Sequence, residues 1–225
     1  MVDKPLGWTS FDTVNKIRFS LARELELKPK QIKVGHAGTL DPLATGLLIV
    51  LVGRYTKRQG QFMKLDKTYE AQVTLGSNST TDDAEGALSR VSSQSPPPKI
   101  VTIALKSFLG RQLQIPPRFS AVKVRGQRAY VRASKGQEIE LEPRPVTIIS
   151  ITDINYHYPV LNFTCRVSSG TYIRSLARDL GAKLGTGAYL SGLRRSHIGG
   201  YKLDQALSLD QLDNASVQAS LIELS

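Results

Sequence analysis

The sequence predicts a mixed α+β protein, and three observations predict it. Apolar residues recur at helical spacing through Phe11, Val14, Ile17, Leu21 and Leu25. Residues 47–52 are an unbroken apolar run of strand length, Leu-Leu-Ile-Val-Leu-Val. Tyr69, Ala71, Val73 and Leu75 alternate with Glu70, Gln72 and Thr74, the period-two pattern of a half-buried strand. Helical and strand patterns then interleave to the end of the chain, with no internal repeat.

Taken in order, Ser10 is placed to cap the first helix, whose apolar stripe packs on a sheet. Residues 24–33 lead through Pro29 into a glycine-rich loop and the buried strand at 47–52. Arg54, Lys57, Arg58 and Lys64 make a basic stretch that reads as a short helix with a solvated face. The strand at 69–75 closes on Gly76, and the polar residues 77–86 read as a loop. A polar, proline-rich connector at 92–98 is the natural place for an insertion to begin. A short helix is expected over 102–109, with Ile103, Leu105 and Phe108 as its apolar contacts. Gly126 suits a hairpin turn between Lys123-Val124 and Arg128. Strands are expected at 146–154 and 160–167, then a helix from Thr171 to about Leu184 that stops near Gly185. A strand over 189–201 and a polar helix near Leu209 complete the chain.

Composition narrows the partners. Of 225 residues, 40% are hydrophobic and 22% charged, which is ordinary for a soluble globular protein. The net charge of +11 and pI near 9.8 are not, and favour a polyanion: nucleic acid first, an anionic membrane second. No run approaches membrane-spanning length, no basic amphipathic helix supports a membrane surface, and Met1-Val2-Asp3-Lys4-Pro5 has no apolar signal core. One cysteine, Cys165, and three histidines make no recognisable metal cluster. The composition reads as cytoplasmic, metal-free and RNA-facing. Residues 111–135 carry seven basic side chains, Lys123, Arg125 and Arg128 among them, and no acidic one. Phe119 and Tyr130 interleave with them, a pattern suited to phosphate contacts with occasional base stacking.

The chain is organised around residues 35–46, Gly-His-Ala-Gly-Thr-Leu-Asp-Pro-Leu-Ala-Thr-Gly. Three glycines and a proline exclude a regular helix or central strand, leaving a tight loop with one carboxylate, Asp41, and one imidazole, His36. Taken alone, this is a turn in which Asp41 caps the next segment and His36 hydrogen-bonds backbone. The whole twelve-residue stretch, however, resembles the catalytic loop of the TruB family of pseudouridine synthases, enzymes that isomerise a uridine in the T-loop of transfer RNA. Supporting matches follow in family order: Asp3-Lys4-Pro5-Leu6-Gly7-Trp8-Thr9-Ser10, Asp66-Lys67-Thr68-Tyr69, Gly170-Thr171-Tyr172-Ile173-Arg174 and Leu193-Arg194-Arg195. The resemblance covers nearly the whole chain.

That resemblance implies a single catalytic domain over 1–225, built on a mixed, largely antiparallel sheet flanked by helices, with a basic thumb insertion at about 95–142. Relatives commonly add a small C-terminal RNA-binding domain of the PUA type, which is expected to be absent here because too few residues remain for it. The implied activity is conversion of uridine to pseudouridine at position 55 of tRNA. The N1–C1′ bond breaks, the uracil rotates, and the base rejoins through C5, with no redox change or group transfer and so no cofactor or metal. Asp41 is implied as the reacting carboxylate, with Arg174 as the family arginine paired with it. Tyr69 is implied to stack on the flipped uracil, Leu193 to pack on its other side, and His36 to enter the space the nucleotide leaves. Tyr172 belongs to the same substrate-binding set, and Lys123, Arg125 and Arg128 to the thumb contacts with the T-arm backbone. Ser134 and Ser169 depart from the family pattern, standing where arginine and lysine are frequent. Each residue also has a plainer reading: Tyr69 as a core tyrosine, Arg174 as an exposed helix residue, His36 as structural. The implied partner is the tRNA T-arm, with the chain acting as a monomer and without an obligate protein partner. The alternative function is a tRNA-folding chaperone that binds without needing catalysis.

Overall fold

The structure, a computed structural model, describes residues 1–120, 122–124, 127–129, 132, 140–214 and 216–222. In chain order its strands are β1 (Val2–Lys4), β2 (Val34–His36), β3 (Ala44–Leu48), β4 (Val50–Val52), β5 (Lys67–Leu75), β6 (Ser77–Ser79), β7 (Leu88–Arg90), β8 (Gly110–Gln114), β9 (Lys123–Val124), β10 (Gln127–Arg128), β11 (Arg144–His157), β12 (Val160–Val167), β13 (Ala188–Ile198), β14 (Tyr201–Lys202) and β15 (Leu207–Ser208). Its helices are α1 (Ser10–Glu24), α2 (Gln59–Met63), α3 (Pro98–Lys106), α4 (Ile173–Leu184) and α5 (Leu209–Asn214). The mixed α+β class expected from the sequence holds. The chain divides into two compact units, Met1–Thr68 with Arg194–Ser225, and Tyr69–Leu193. Among the described residues no helix is long and apolar enough to cross a membrane.

In the first unit β1 is central. It runs parallel to β15 (Val2↔Leu207) and antiparallel to β3 (Val2↔Leu48, Lys4↔Gly46), and β3 borders the 194–198 half of β13. A two-stranded ribbon, β2 with β4, pairs His36 with Val50. Helix α1 buries Val14, Ile17 and Leu21 against Val2, Ile32, Val34, Leu209 and Leu212. Of the expected apolar stripe, Phe11 and Leu25 are exposed instead. The cap is Thr9, not Ser10. Thr9 Oγ1 accepts from the Asp12 amide at 3.0 Å and the Asp12 carboxylate accepts from the Thr9 amide at 2.8 Å, a reciprocal box that a serine one residue later could not form. The apolar run at 47–52 is two strands rather than one, broken at Ile49, because its two halves pair with different partners.

In the second unit β11 pairs antiparallel with β12 (Ile151↔Cys165) and with β8 (Arg144↔Gln114), and β12 borders β5. Tyr69, Ala71, Val73 and Leu75 are buried, as the alternation predicts. The expected loop at 77–86 contains β6, which pairs with β7 in a hairpin (Asn78↔Ser89). Helix α3 starts at Pro98, earlier than its apolar pattern suggests, because proline is well tolerated at a first helical position that needs no N–H donor. Gly185 ends α4 at φ +69°, the left-handed cap expected there. Strands β9 and β10 pair antiparallel (Val124↔Gln127), while Gly126, the expected turn residue, lies outside the described residues.

One glycine fixes how β3 sits beside β13. A Cβ on Gly46 would stand 2.4 Å from the Arg195 carbonyl oxygen, and its φ is +101°. Both the space and the backbone conformation therefore demand glycine. Replacing it should cost roughly 2–6 kcal/mol, from strain of about 1–3 and overpacking of about 1–3. Urea denaturation of Gly46→Ala measures this directly.

Candidate active site

The loop between β2 and β3 carries Asp41, half-buried, and is fixed at nearly every residue. The Ala37 amide donates to the Ile49 carbonyl at 2.9 Å and the Ala44 amide to the Asp41 carbonyl at 3.0 Å. The Gly7 amide, from the turn after β1, reaches the Pro42 carbonyl at 2.9 Å. Ser10, buried at the start of α1, bonds Leu40 twice: its hydroxyl donates to the Leu40 carbonyl (3.0 Å) and accepts from the Leu40 amide (2.8 Å). Arg195, 1% exposed, donates from its guanidinium to the carbonyls of Leu47 (2.8 Å), Gly38 (3.1 Å) and Thr39 (3.4 Å).

Two more buried cations of this unit serve backbone carbonyls. Lys4 donates to Pro5 (2.9 Å) and Trp8 (2.6 Å), holding the turn that leads into α1. Lys67 donates to Met63 and Leu65, both at 2.6 Å, tying down the end of α2. Burial first, then the neighbouring Arg195 charge, push the Lys67 ammonium down to about 8, with Asp66 opposing. His36 is also pushed down, by burial and then by Arg195, which favours the neutral imidazole. Its Nδ1 is buried without a hydrogen-bond partner, while its carbonyl accepts from Gln59 at 2.7 Å.

The second unit holds Tyr69, Tyr172, Arg174 and Leu193. Tyr69 is 8% exposed at the start of the β5 stretch in this unit, while Tyr172 and Leu193 are half-buried. Arg174, in the first turn of α4, is buried rather than exposed. Its guanidinium lies 3.4 Å from the Asp83 carboxylate and donates to the carbonyls of Thr81 (3.2 Å) and Phe119 (2.9 Å). Asp83 is itself held by the Thr81 hydroxyl and the Glu85 amide. One turn on, Arg178 pairs with Asp82 at 3.0 Å and reaches the Ile115 carbonyl at 2.9 Å. Burial raises Asp82 above the usual carboxylate range, and Arg178 opposes that rise. The Gln114 amide group clasps the Tyr172 backbone from both sides, accepting from its N–H (2.9 Å) and donating to its carbonyl (3.1 Å). The start of α4 is thus bolted to residues 114–119.

Of the thumb residues, Arg125 lies outside the described residues. Lys123 and Arg128 face each other in the β9–β10 pair, and only their backbone is described. Among the described residues no group of three or more His, Cys, Asp or Glu is placed to hold a metal ion. Sequence reasoning singled out Asp41, His36, Tyr69 and Arg174 but missed Ser10, Gln114, Asp83 and Arg195 as parts of the machinery. Ser10 read as a cap, and Asp83 as one polar residue in a polar loop. For Arg195 the signal was present in Leu-Arg-Arg, since a strand that buries alternate residues takes one of two adjacent arginines inward.

Residues 24–173 match the TruB family pseudouridylate synthase (N terminal domain), and 174–223 match the tRNA pseudouridylate synthase B C-terminal domain. The chain is 47% identical over 213 residues to tRNA pseudouridine synthase B of Parabacteroides distasonis, covering 94% of this chain and 90% of that protein. It is 45% identical to tRNA pseudouridine synthase B of Thermobifida fusca, over 94% of this chain and 73% of the relative. Among solved structures it resembles a chain of a Cbf5–Nop10–Gar1 complex (TM-score 0.71, 29% identity, 95% of this chain and 52% of that one). It also resembles a chain of an H/ACA RNP bound to a substrate RNA containing 2′-deoxyuridine (TM-score 0.69, 25% identity, 99% and 55%). It spans about half the length of those solved chains.

Two expectations follow. The folded Lys67 gives up its proton at about 8, whereas the unfolded side chain keeps it to 10.5. Unfolding therefore takes up a proton between those values, and the Lys67 contribution to stability rises with pH across that window. Lys67→Met should flatten the pH dependence of urea stability between about 8 and 10.5. The second concerns Asp83, whose side chain is 3% exposed against 7% for Arg174. Asp83→Ala removes the carboxylate from a buried guanidinium and should cost about 3–5 kcal/mol, read by denaturant titration.

Proposed function

Because the chain belongs to the TruB family of pseudouridylate synthases, we propose that it converts uridine to pseudouridine at position 55 in the T-loop of tRNA, with Asp41 as the reacting carboxylate. The observation that carries this reading is the Asp41 loop itself. Its carbonyls at Gly38, Thr39 and Leu40 are all engaged by buried side chains, so the carboxylate is offered on a backbone that does not have to reorganise.

The reaction cleaves N1–C1′, turns the uracil, and joins C5 to C1′. The C5 hydrogen leaves to solvent and N1 ends protonated, so nothing is oxidised or reduced. A carboxylate serves it by adding to C1′, by adding to the base, or by deprotonating C2′, and each route needs the aspartate ionised and within reach of the nucleoside. The base must first leave its stack, which costs a few kcal/mol. Stacking on Tyr69, worth about 1–3 kcal/mol, offsets that cost, with Leu193 packing on the base. Tyr172 completes the base-binding set. Neutral His36, with its buried unpartnered Nδ1, suits the space the nucleotide vacates. Arg174, held by Asp83 and by two carbonyls, supplies a fixed positive charge toward the anionic substrate. Lys123, Arg125 and Arg128 contact the T-arm phosphates, and the T-arm alone suffices as partner for a monomeric cytoplasmic enzyme.

Asp41→Asn separates chemistry from binding, because it keeps volume and polarity but removes the charge. Tritium release from uridine C5 should fall to background while tRNA affinity stays within about 1.4 kcal/mol, a factor of ten. Turnover by the folded variant, with deamidation excluded, would overturn Asp41 as the reacting carboxylate, whereas tRNA binding by the wild type with no tritium release would leave the chaperone reading in its place.

A further inference from the structure

We propose that Arg195 and Ser10 are positioning residues for the reaction, a clamp that sets where the Asp41 carboxylate stands. The inference rests on Asp41 being the reacting group. Its basis is the run of three successive carbonyls at Gly38, Thr39 and Leu40. Among the described residues none is satisfied by a turn or ladder hydrogen bond; Arg195 Nη2 takes the first, Arg195 Nη1 the second and Ser10 Oγ the third. The Leu40 amide donates back to the same hydroxyl, so the peptide immediately before Asp41 is fixed at both its polar ends.

The clamp is anchored in rigid elements. Ser10 sits at the first turn of α1, 2% exposed. Arg195 sits on β13, and its Nε donates to the Leu47 carbonyl of β3, so one planar group spans the near end of the loop and the strand that follows it. Among the described residues its guanidinium forms no ion pair. Burying a cation costs desolvation, and here its donors offset that cost by satisfying backbone carbonyls. What it gains here is geometry, because the guanidinium fork meets three carbonyls from one rigid plane, which an ammonium on a flexible stem cannot do. Gly46, packed against the Arg195 backbone, keeps the arginine at the distance this requires. A displacement of the carboxylate by about 1 Å is enough to cost on the order of a hundredfold in rate.

The test uses Ser10→Ala and Arg195→Lys in the full chain. Three quantities are read: single-turnover tritium release at saturating tRNA, the tRNA dissociation constant, and hydrogen exchange of the amides at 38–41 without RNA. The expected rate loss is about ten- to a hundredfold for Arg195→Lys and at least about threefold for Ser10→Ala, with affinity within about threefold. Exchange at 38–41 should accelerate in both variants while the β3 amides keep their protection. Wild-type rates in the folded variants would overturn the proposal. So would a rate loss without faster loop exchange, or a loss that vanishes at saturating tRNA. Failure of both variants to fold would overturn it too, since the two residues would then hold the unit and not the loop. The exchange measurement does not depend on what Asp41 does. Turnover by Asp41→Asn would therefore defeat the catalytic reading while leaving the clamp itself to be judged by exchange.

Discussion

The hydrogen bonds from the buried Arg195 guanidinium to the carbonyls of Gly38, Thr39 and Leu47 are the constraint on which the site depends. A loop rich in glycine has few side chains of its own with which to fix its backbone, and unpaired carbonyls inside a protein are costly. Satisfying them from outside solves both problems at once. The donor must carry several N–H groups in fixed relation and must be held by a rigid element, and an arginine on a central strand meets both conditions. Gly46 and Ser10 belong to the same solution. The first lets β3 approach the arginine backbone closely, and the second closes the last peptide before Asp41.

The same device recurs with different chemistry. Lys4 and Lys67 are buried ammonium groups that each serve two carbonyls at turns, and Gln114 clasps the backbone of Tyr172 in the other unit. In all of these, a polar side chain is drawn inward to hold irregular backbone that no ladder can satisfy. Arg174 and Asp83 differ, because there the buried charge is paired. The result is a set of loops and helix starts whose backbone is served by buried side chains, which suits chemistry needing atoms placed to a fraction of an ångström. It also draws charge inward: Lys4, Lys67, Arg174 and Arg195 are all committed to the interior.

Much of this was legible in the sequence. Period-two alternation from Tyr69 to Leu75 and helical spacing at Val14, Ile17 and Leu21 are local patterns, set by which face of an element meets the core, and they placed β5 and α1. Gly185 marked the end of α4, because only glycine enters the left-handed region without cost. The motif at 35–46 identified the family and its loop. The errors had two origins. The first helix is capped by Thr9 because the box with Asp12 decides between two adjacent hydroxyl residues. Strand pairing, not hydrophobicity, broke the run at 47–52.

By itself the sequence determined most of the element types and the basic character, since these depend on side-chain identity and short-range periodicity, and its family resemblance named the candidate site residues. Only the tertiary structure decided what holds those residues. Arg195 is 157 positions from the Gly38 carbonyl it serves, and Ser10 is 30 from Leu40. Backbone carbonyls are the same at every position, so an acceptor leaves no mark in the sequence. Which side chain comes to serve it is settled by how strands and helices pack.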